Sequence, residues 1–361
     1  MSSKKKYLSS SSSSNIFNDV MEWTNEFKIT ETKKIKKQKN NIPWVEKFRP
    51  ISLNDIISHE YHIKTIKQLI KKKMMPHFLF TGPAGTGKTS TILAVVKKLY
   101  GDNYPVMVLE INASEERGIE TVRKKIKDFI KIRGIFNTSD TYNSFKTIIL
   151  DEADAMTSDA QSLIVSFIEK YSINVRFCLI CNYPKKINPL IISRCKVLKF
   201  KPLNDKSITQ KLNLIVKETN IKLDSSGINT LLSISNGDMR KILNTLQVVS
   251  MIYDNVTSLN ITNCIGYPND EQIKNIYYSL LHDTFSTCFI NISKIITDDC
   301  LSLCDVISEI TNLLIKSFYD NELKQDKFVT ITTNLNNIEN NLSVCLNQKL
   351  QITGFISCFF I

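Results

Sequence analysis

Short apolar runs alternate with longer amphipathic segments through the first half of the chain. Four of these runs have the length and the aliphatic or aromatic content of buried strands, and they cover residues 77–80, 106–111, 147–150 and 176–181. Segments with helical periodicity follow the first three, over residues 90–98, 119–131 and 158–170. This alternation predicts a parallel sheet covered by helices on both faces, with its ligand site at the carboxyl ends of the strands.

The segment before the first strand is also expected to be folded. Residues 42–50 are rich in aromatic side chains and contain two prolines that restrict the backbone, so we expect folded structure to begin there. A helix is predicted over residues 53–73, because four apolar side chains share one of its faces: Ile63, Ile66, Leu69 and Ile70.

Beyond residue 203 the strand pattern stops and only helices are predicted. Three of them cover residues 207–218, 224–235 and 240–251. Four more amphipathic helices are predicted over residues 270–282, 284–296, 301–319 and 331–346. No chemical motif occurs in this last group, which favours a role in packing or oligomerisation. We therefore divide the folded chain into an α/β core, a small helical lid and an all-helical domain, at residues 42–203, 204–265 and 266–361.

The N-terminal 41 residues have a different composition. They contain a serine run at 9–14 and a basic stretch at 33–39, which cannot bury enough apolar surface to offset the entropy of ordering. We predict a disordered tail. Its basic stretch is equally well interpreted as a nuclear localisation signal or as a solvated linker.

Charge and composition limit the class of protein. The formal net charge of +12 favours a polyanionic partner, although the tail carries part of it. No apolar run approaches the roughly 18 residues of a membrane-spanning helix, and no secretory signal is visible, so we expect an intracellular protein. Its nine cysteines are expected to be reduced thiols. Cys178 and Cys181 lie in an apolar strand and are interpreted as core residues, not zinc ligands.

A glycine-rich loop at residues 82–89 stands between the first predicted strand and a helix. Its sequence, G-P-A-G-T-G-K-T, is a complete phosphate-binding loop in the context that such loops require. Glycines allow the backbone N–H groups to surround phosphate oxygens, Lys88 would reach the β- and γ-phosphates, and Thr89 would bind Mg²⁺. The candidate nucleotide-binding residues are Gly82, Pro83, Ala84, Gly85, Thr86, Gly87, Lys88, Thr89 and Ser90.

Polar residues that follow the later strands complete this predicted site. Asp151 lies just past the third strand and is placed to hold Mg²⁺, while Glu152 can polarise a water molecule for attack on the γ-phosphate. Asn182 follows the fourth strand and could orient that water, although a simple turn asparagine is the alternative. Arg240, at the start of a lid helix, could reach back to the γ-phosphate.

Several short motifs occur together in this chain. They are W-V-E-K-F-R-P at 44–50, the phosphate loop, N-A-S at 112–114, R-G-I at 117–119, L-D-E-A-D at 150–154, S-R-C at 193–195 and G-D-M-R at 237–240. This combination resembles the small subunits of replication factor C, which are AAA+ clamp loaders. The resemblance extends from about residue 42 to the C-terminus, is strongest through residue 203, and implies a RecA-like AAA+ core, a helical lid and a helical collar. Residues 150–161 and 176–183 most resemble one particular small subunit of that family.

The resemblance implies a role for each matching residue. Val45 and Arg49 would lie beside the adenine, and residues 85–89 would contact the phosphates. Asp151 and Glu152 would occupy the Walker B position, Asn182 that of sensor 1 and Arg240 that of sensor 2. Arg194 of the S-R-C motif would act in trans, as an arginine finger on the ATP of the neighbouring subunit.

The resemblance also implies contact with DNA. The candidate DNA-binding residues are Arg117, Arg123, Lys124 and Lys127, and a solvated basic helix face is an equally good interpretation of any single one.

The sequence departs from the family pattern in two places. Val165 and Ser166 stand where relatives usually carry two arginines, which weakens the case for DNA or inter-subunit contacts from that helix. The chain ends short of the final collar helix that the family leads us to expect, so we expect a trimmed or divergent collar.

Together these observations predict an ATPase subunit of a heteropentameric, nuclear clamp loader. With ATP and Mg²⁺, and with the other replication factor C subunits, it would load the sliding clamp PCNA onto primer-template DNA during replication and repair. A helicase-type ATPase is the first alternative, because residues 151–154 spell D-E-A-D. The second is a scaffold subunit that binds ATP without turnover.

Overall fold

The computed structural model describes residues 42–72, 74–115, 118–131, 145–320, 324–342, 344 and 347–360. Its chain divides into two compact units, Met1–Arg49 and Pro50–Ile361. In the first unit, one short helix, α1 (Trp44–Lys47), is described. The predicted disordered tail lies outside the described residues, as does Arg117.

The second unit is built on a parallel five-stranded sheet. Its strands are β1 (Phe78–Thr81), β2 (Val108–Asn112), β3 (Lys146–Asp151), β4 (Val175–Cys181) and β5 (Lys196–Lys199). They lie in the order β2-β3-β4-β1-β5, which makes β4 the central strand. Phe78 of β1 pairs with Cys178 on one side and with Lys196 on the other. The predicted parallel sheet is confirmed, and β5, which we did not predict, is added at its edge.

Helices cover both faces of this sheet. They are α2 (Glu60–Lys71), α3 (Lys88–Tyr100), α4 (Tyr104–Met107), α5 (Ile119–Lys131), α6 (Ser158–Tyr171) and α7 (Pro189–Arg194). Successive strand residues point to opposite faces, so Ile148 packs in the core with α5, α6 and α7, while Ile149 packs in the core with α2 and α3. Both faces are therefore buried, as the apolar strands predict.

Two predicted boundaries in this region are wrong. The helix predicted over 53–73 begins only at Glu60, because side chains before it bond to local backbone: the Ser52 N–H donates to Asp55 Oδ2 (2.8 Å) and the Asn54 N–H to Ser52 Oγ (3.2 Å). The strand predicted from residue 106 begins at Val108. Pro105 lies in the first turn of α4, where a missing N–H costs nothing.

The lid contains more than the three predicted helices. Those three are present as α8 (Asp205–Thr219), α9 (Ser225–Ser235) and α10 (Met239–Ile252). A fourth helix, α11 (Ser258–Ile265), follows them. The expectation of helices alone is wrong, since β6 (Lys222–Leu223) and β7 (Asn255–Val256) form a short parallel pair. Strands of two residues are too short to show an alternating pattern.

In the C-terminal region, the described residues form five helices. They are α12 (Asp270–His282), α13 (Phe285–Asp298), α14 (Leu303–Tyr319), α15 (Gln325–Leu342) and α16 (Gln348–Ser357). We predicted no helix beyond residue 346, and α16 corrects this. Asn347 caps it by accepting from the Leu350 N–H, and Phe355 is fully buried in the shared core. In the part of the chain that the structure describes, no helix has both the length and the apolar character needed to cross a membrane.

Candidate nucleotide-binding site

The phosphate loop connects β1 to α3 at the carboxyl end of the sheet. Gly82, Gly85 and Gly87 have φ angles of 146°, 67° and 89°, which other residues rarely adopt. A β-carbon on Gly82 would lie 2.1 Å from the carbonyl oxygen of Phe200, so only glycine fits there. Gly87 caps α3 without a side chain. The first-turn N–H groups of α3 therefore have no side-chain cap, the arrangement that phosphate oxygens require.

Lys88 is held inside this loop by oxygen atoms. Its Nζ donates to the carbonyls of Gly82 and Pro83 (2.7 Å each) and to Asn182 Oδ1 (2.9 Å). Burial lowers the pKa of Lys88, and the Asp151 carboxylate opposes this effect. The ammonium is thus aimed into the loop with partners that phosphate oxygens can replace. Of the other loop residues, Thr86 is buried and bonds to the Pro83 carbonyl (2.9 Å), whereas Ala84 is exposed and Ser90 half-buried.

Two oxygen-bearing side chains that we predicted to bind Mg²⁺ are in contact. Thr89 Oγ1 donates to Asp151 Oδ2 at 2.8 Å. Asp151 ends β3 and lies next to Asn112 of β2 in the sheet. A hydroxyl and a carboxylate are hard donors that suit Mg²⁺. Glu152 follows with a left-handed φ of 53° and an exposed side chain, and its N–H donates to Asp151 Oδ1 (2.9 Å).

Asp154 also contacts this group of residues, although we did not predict it to do so. Its Oδ2 accepts from the backbone N–H groups of Asn182 (3.2 Å) and Tyr183 (3.0 Å). These bonds join the acidic segment after β3 to the turn after β4. Because Asn182 also contacts Lys88, Asp154 supports the orientation of the Asn182 side chain. Asp154 is the last residue of the D-E-A-D sequence, which could have drawn attention to it. The sequence does not show which backbone groups its carboxylate accepts hydrogen bonds from.

Replacing Asp154 with alanine is expected to reduce turnover more than binding. The turn after β4 loses both bonds to the Asp154 side chain, so Asn182, which we predict to orient the attacking water, is no longer held in one position. We expect kcat for ATP at this subunit's own site, resolved by single-turnover measurement in the assembled protein, to fall about tenfold, with KM changed less than about threefold. Asp128→Ala, a change at an exposed acid on α5, is the control and should leave both constants unaltered. A rise in KM without a fall in kcat would contradict this role.

The lid meets the phosphate loop at a second residue that we missed, Asp238. Asp238 Oδ1 accepts from the N–H groups of Arg240 (2.8 Å) and Lys241 (3.2 Å), which caps α10. A β-carbon on Gly85 would lie 1.6 Å from this same oxygen. The cap of α10 therefore rests on the loop. Arg240 is exposed, and its positive charge is near enough to contribute to the lowered pKa of Lys88.

Arg194 makes different contacts from the rest of the predicted site. It ends α7, its Nη1 donates to the Leu190 carbonyl (3.1 Å), and its Nη2 forms an ion pair with Glu169 of α6. Among the described residues, the hydrogen bonds of its side chain involve neither the phosphate loop nor Asp151. The structure thus leaves Arg194 outside the group formed by Lys88, Thr89 and their partners.

Five further predicted residues are described by the structure. Val45 and Arg49 belong to the first unit, where Arg49 is paired with Glu46. The side chains of Arg123, Lys124 and Lys127 are exposed on α5.

The two positions that depart from the family pattern differ from each other in burial. Val165 is buried in the core beneath the sheet. Ser166 is exposed and bonds to the Ser162 carbonyl (3.3 Å). An apolar side chain at 165 thus adds to the core, and neither residue offers a positive charge to a partner.

Comparison with known proteins decides the family. Residues 78–203 match the ATPase family associated with various cellular activities, and residues 268–358 match the replication factor C C-terminal domain. A Dictyostelium discoideum protein, probable replication factor C subunit 5, is 43% identical over 94% of this chain and 96% of its own length. The chain belongs to the replication factor C family. It is an AAA+ ATPase of the clamp-loader type, which binds nucleotide and acts in DNA replication with other replication factor C subunits.

Residues 150–161 and 176–183 most resemble the subunit that is numbered five in human and three in yeast naming, and other relatives confirm this prediction. Human replication factor C subunit 5 is 41% identical over 88% of this chain and 92% of its own length. Saccharomyces cerevisiae replication factor C subunit 3 is 39% identical over 89% of this chain and 94% of its own length. Among solved structures, the K64R mutant of Thermotoga maritima RuvB covers 70% of this replication factor C subunit and 88% of its own chain, with a TM-score of 0.50 and 12% identity. That similarity concerns the fold only.

Proposed function

We propose that this subunit binds ATP with Mg²⁺ and uses its hydrolysis, within a nuclear heteropentamer, to load PCNA onto primer-template DNA in replication and repair. The observation that carries the proposal is the convergence of Lys88, Asn182, Thr89 and Asp151 at the carboxyl edge of the sheet. Membership of the family implies that the product of the reaction is a clamp closed around DNA. We further propose that the chain is divided into the core, lid and collar at residues 42–203, 204–265 and 266–361.

Each residue of the site has a proposed task on the triphosphate. The loop glycines and the N-terminus of α3 hold the phosphate oxygens, and Lys88 exchanges its carbonyl partners for the β- and γ-phosphates. Thr89 and Asp151 hold Mg²⁺, which neutralises charge on the phosphates. Glu152 accepts a proton from the attacking water, and Asn182 orients that water.

Parts outside this cluster would couple hydrolysis to the rest of the complex. Arg240 contacts the γ-phosphate from the lid, and Asp238 links the angle of α10 to the loop at Gly85. Val45 and Arg49 would lie against the adenine. Arg194 would act on ATP held by the next subunit. In support, its side-chain bonds among the described residues go to Leu190 and Glu169 and not to this subunit's phosphate loop. Its guanidinium would stabilise charge on the transferring phosphoryl group.

DNA would be held through its phosphates. Arg123, Lys124 and Lys127 are exposed on one helix, α5, and we propose that they and Arg117 track the duplex backbone. Contacts of this kind are insensitive to base sequence and weaken with salt. A helicase would need a second RecA-like domain, whereas described residues 205–320, 324–342 and 347–357 form helices and one pair of two-residue strands.

Affinity purification of the tagged chain from its own cells, followed by mass spectrometry, tests this proposal. We expect four related AAA+ subunits and a sliding clamp to be recovered in an ATP-dependent manner. A tagged Lys88→Ala chain serves as the comparison and should recover less clamp. Recovery of the wild-type chain without other AAA+ subunits would contradict the proposal.

A further inference from the structure

Arg194, the proposed trans-acting residue, is folded back on its own subunit. Its Nη1 donates to Leu190 O at 3.1 Å, one turn earlier in α7, so the side chain lies along its own helix. Its Nη2 pairs with Glu169 near the C-terminal end of α6. The Arg194 side chain is 33% exposed and that of Glu169 54% exposed. In this position the finger is partly neutralised, and it is not extended toward another chain.

The two helices that carry this ion pair are firmly joined. Gln161 of α6 is buried, donates to the Lys186 carbonyl (3.0 Å) and accepts from the Asn188 N–H (2.7 Å) just before α7. Ile164 and Ile191, from the two helices, are fully buried in the same core. The separation between the backbones at 169 and 194 is therefore set by the fold, and only side chains must move to open the pair.

Lys170, the neighbouring cation on α6, is engaged elsewhere. Its Nζ lies over the ring of Tyr171 at 5.5 Å from the centroid. Within the described residues, Arg194 is the cation paired with Glu169. The negative charge of Glu169 is thus directed at the finger.

We propose that Glu169 is a positioning residue that latches Arg194 in a retracted state. The inference rests on the proposed function, because it requires Arg194 to act in trans. Before the neighbour's ATP is in place, Glu169 holds the guanidinium against its own subunit. When the spiral closes, the neighbour's γ-phosphate competes with Glu169 for the same N–H groups, and the finger changes partner.

The strength of such a pair decides what the latch can do. An exposed ion pair shifts an equilibrium by no more than about fivefold. A γ-phosphate offers more negative charge and several oxygens to the planar guanidinium, in a site from which water is excluded. In the closed complex, the Arg194 guanidinium therefore binds the γ-phosphate in preference to Glu169. The latch suppresses premature hydrolysis without blocking the stimulated reaction.

The test uses the reconstituted heteropentamer with Glu169→Gln or Glu169→Ala in this chain. Glutamine keeps the shape and an acceptor oxygen but removes the charge. We expect both variants to raise the basal rate of ATP hydrolysis at the neighbouring subunit's site, measured as a single turnover without DNA or clamp, by about two- to fivefold. KM for ATP and the rate with saturating primer-template DNA and clamp should stay unchanged. Asp159→Asn, a change at an exposed acid of the same helix, is the control and should give the wild-type basal rate.

Parallel measurements on Arg194→Ala separate this inference from the proposed function. The double variant with Glu169→Gln should behave as Arg194→Ala alone, since the gain requires the arginine. If Arg194→Ala leaves stimulated turnover intact, the trans role itself is wrong. If Arg194→Ala slows turnover but both Glu169 variants keep or lower the basal rate, the latch is overturned and the proposed function stands.

Discussion

Replacing Lys88 with alanine is expected to weaken ATP binding at this subunit's own site by at least about a hundredfold. Hydrogen bonds from a charged group contribute about 1.5–3 kcal/mol each, so the loss of two phosphate contacts exceeds the roughly 2.7 kcal/mol that corresponds to this factor. Three oxygen atoms, on Gly82, Pro83 and Asn182, would also lose their present donor. Titration with a fluorescent ATP analogue measures the effect.

The same helix supplies a matched control for this experiment. Lys97 is an exposed lysine near the other end of α3, and Lys97→Ala should bind the analogue as the wild type does. Circular dichroism should show that both variants are folded, because the loop geometry is set by its glycines and by β1. If Lys88→Ala bound the analogue within about threefold of wild type, the phosphate-loop assignment would be wrong.

Replacing Arg194 with alanine is expected to leave ATP binding at every site of the complex unchanged. Hydrolysis at the neighbouring subunit should fall by about a thousandfold, since an arginine finger contributes on the order of 10³–10⁵ to such a rate. The total ATPase activity of the complex should fall only by the contribution of that one site. Rapid-quench measurement of a single turnover with primer-template DNA and clamp resolves that site.

An exposed residue two positions along the chain provides the comparison. Lys196 lies at the start of β5, and Lys196→Ala removes a positive charge two residues from Arg194. It should retain full stimulated turnover. Equal losses in the two variants would indicate a general effect of surface charge and not a finger. Full activity in Arg194→Ala would remove the assignment altogether.

The central part of the fold could be predicted because its strands are buried on both faces. Phe78, Phe80 and Phe177 belong to runs in which nearly every residue is apolar, and such runs stand out in any sequence. Strand β5 could not be found in this way, since it lies at the sheet edge and two of its four residues are exposed lysines. The pair β6–β7 depends on contacts across the lid, which no local pattern encodes.

The candidate site was predictable where the chemistry lies in a motif. Thr89 and Asp151 meet because a phosphate loop and the end of β3 share one edge of a parallel sheet. The contacts of Asp154, Asp238 and Glu169 were not predictable. Asp238 reaches Gly85 only because the lid folds back over the core, and Glu169 reaches Arg194 because α6 and α7 pack together. Such partners are set by tertiary structure, and their residue types are common on any surface.

The most direct test of the account is clamp loading itself. A labelled PCNA ring is counted on primed circular DNA after incubation with ATP and the heteropentamer that contains this chain. We expect the wild-type complex to load the ring, and a complex with Lys88→Ala and Arg194→Ala in this chain to load it at least about a hundred times more slowly. Equal loading by the two complexes, or no loading by the wild type, would contradict the claim that this subunit uses ATP at its own site and its neighbour's to load a clamp.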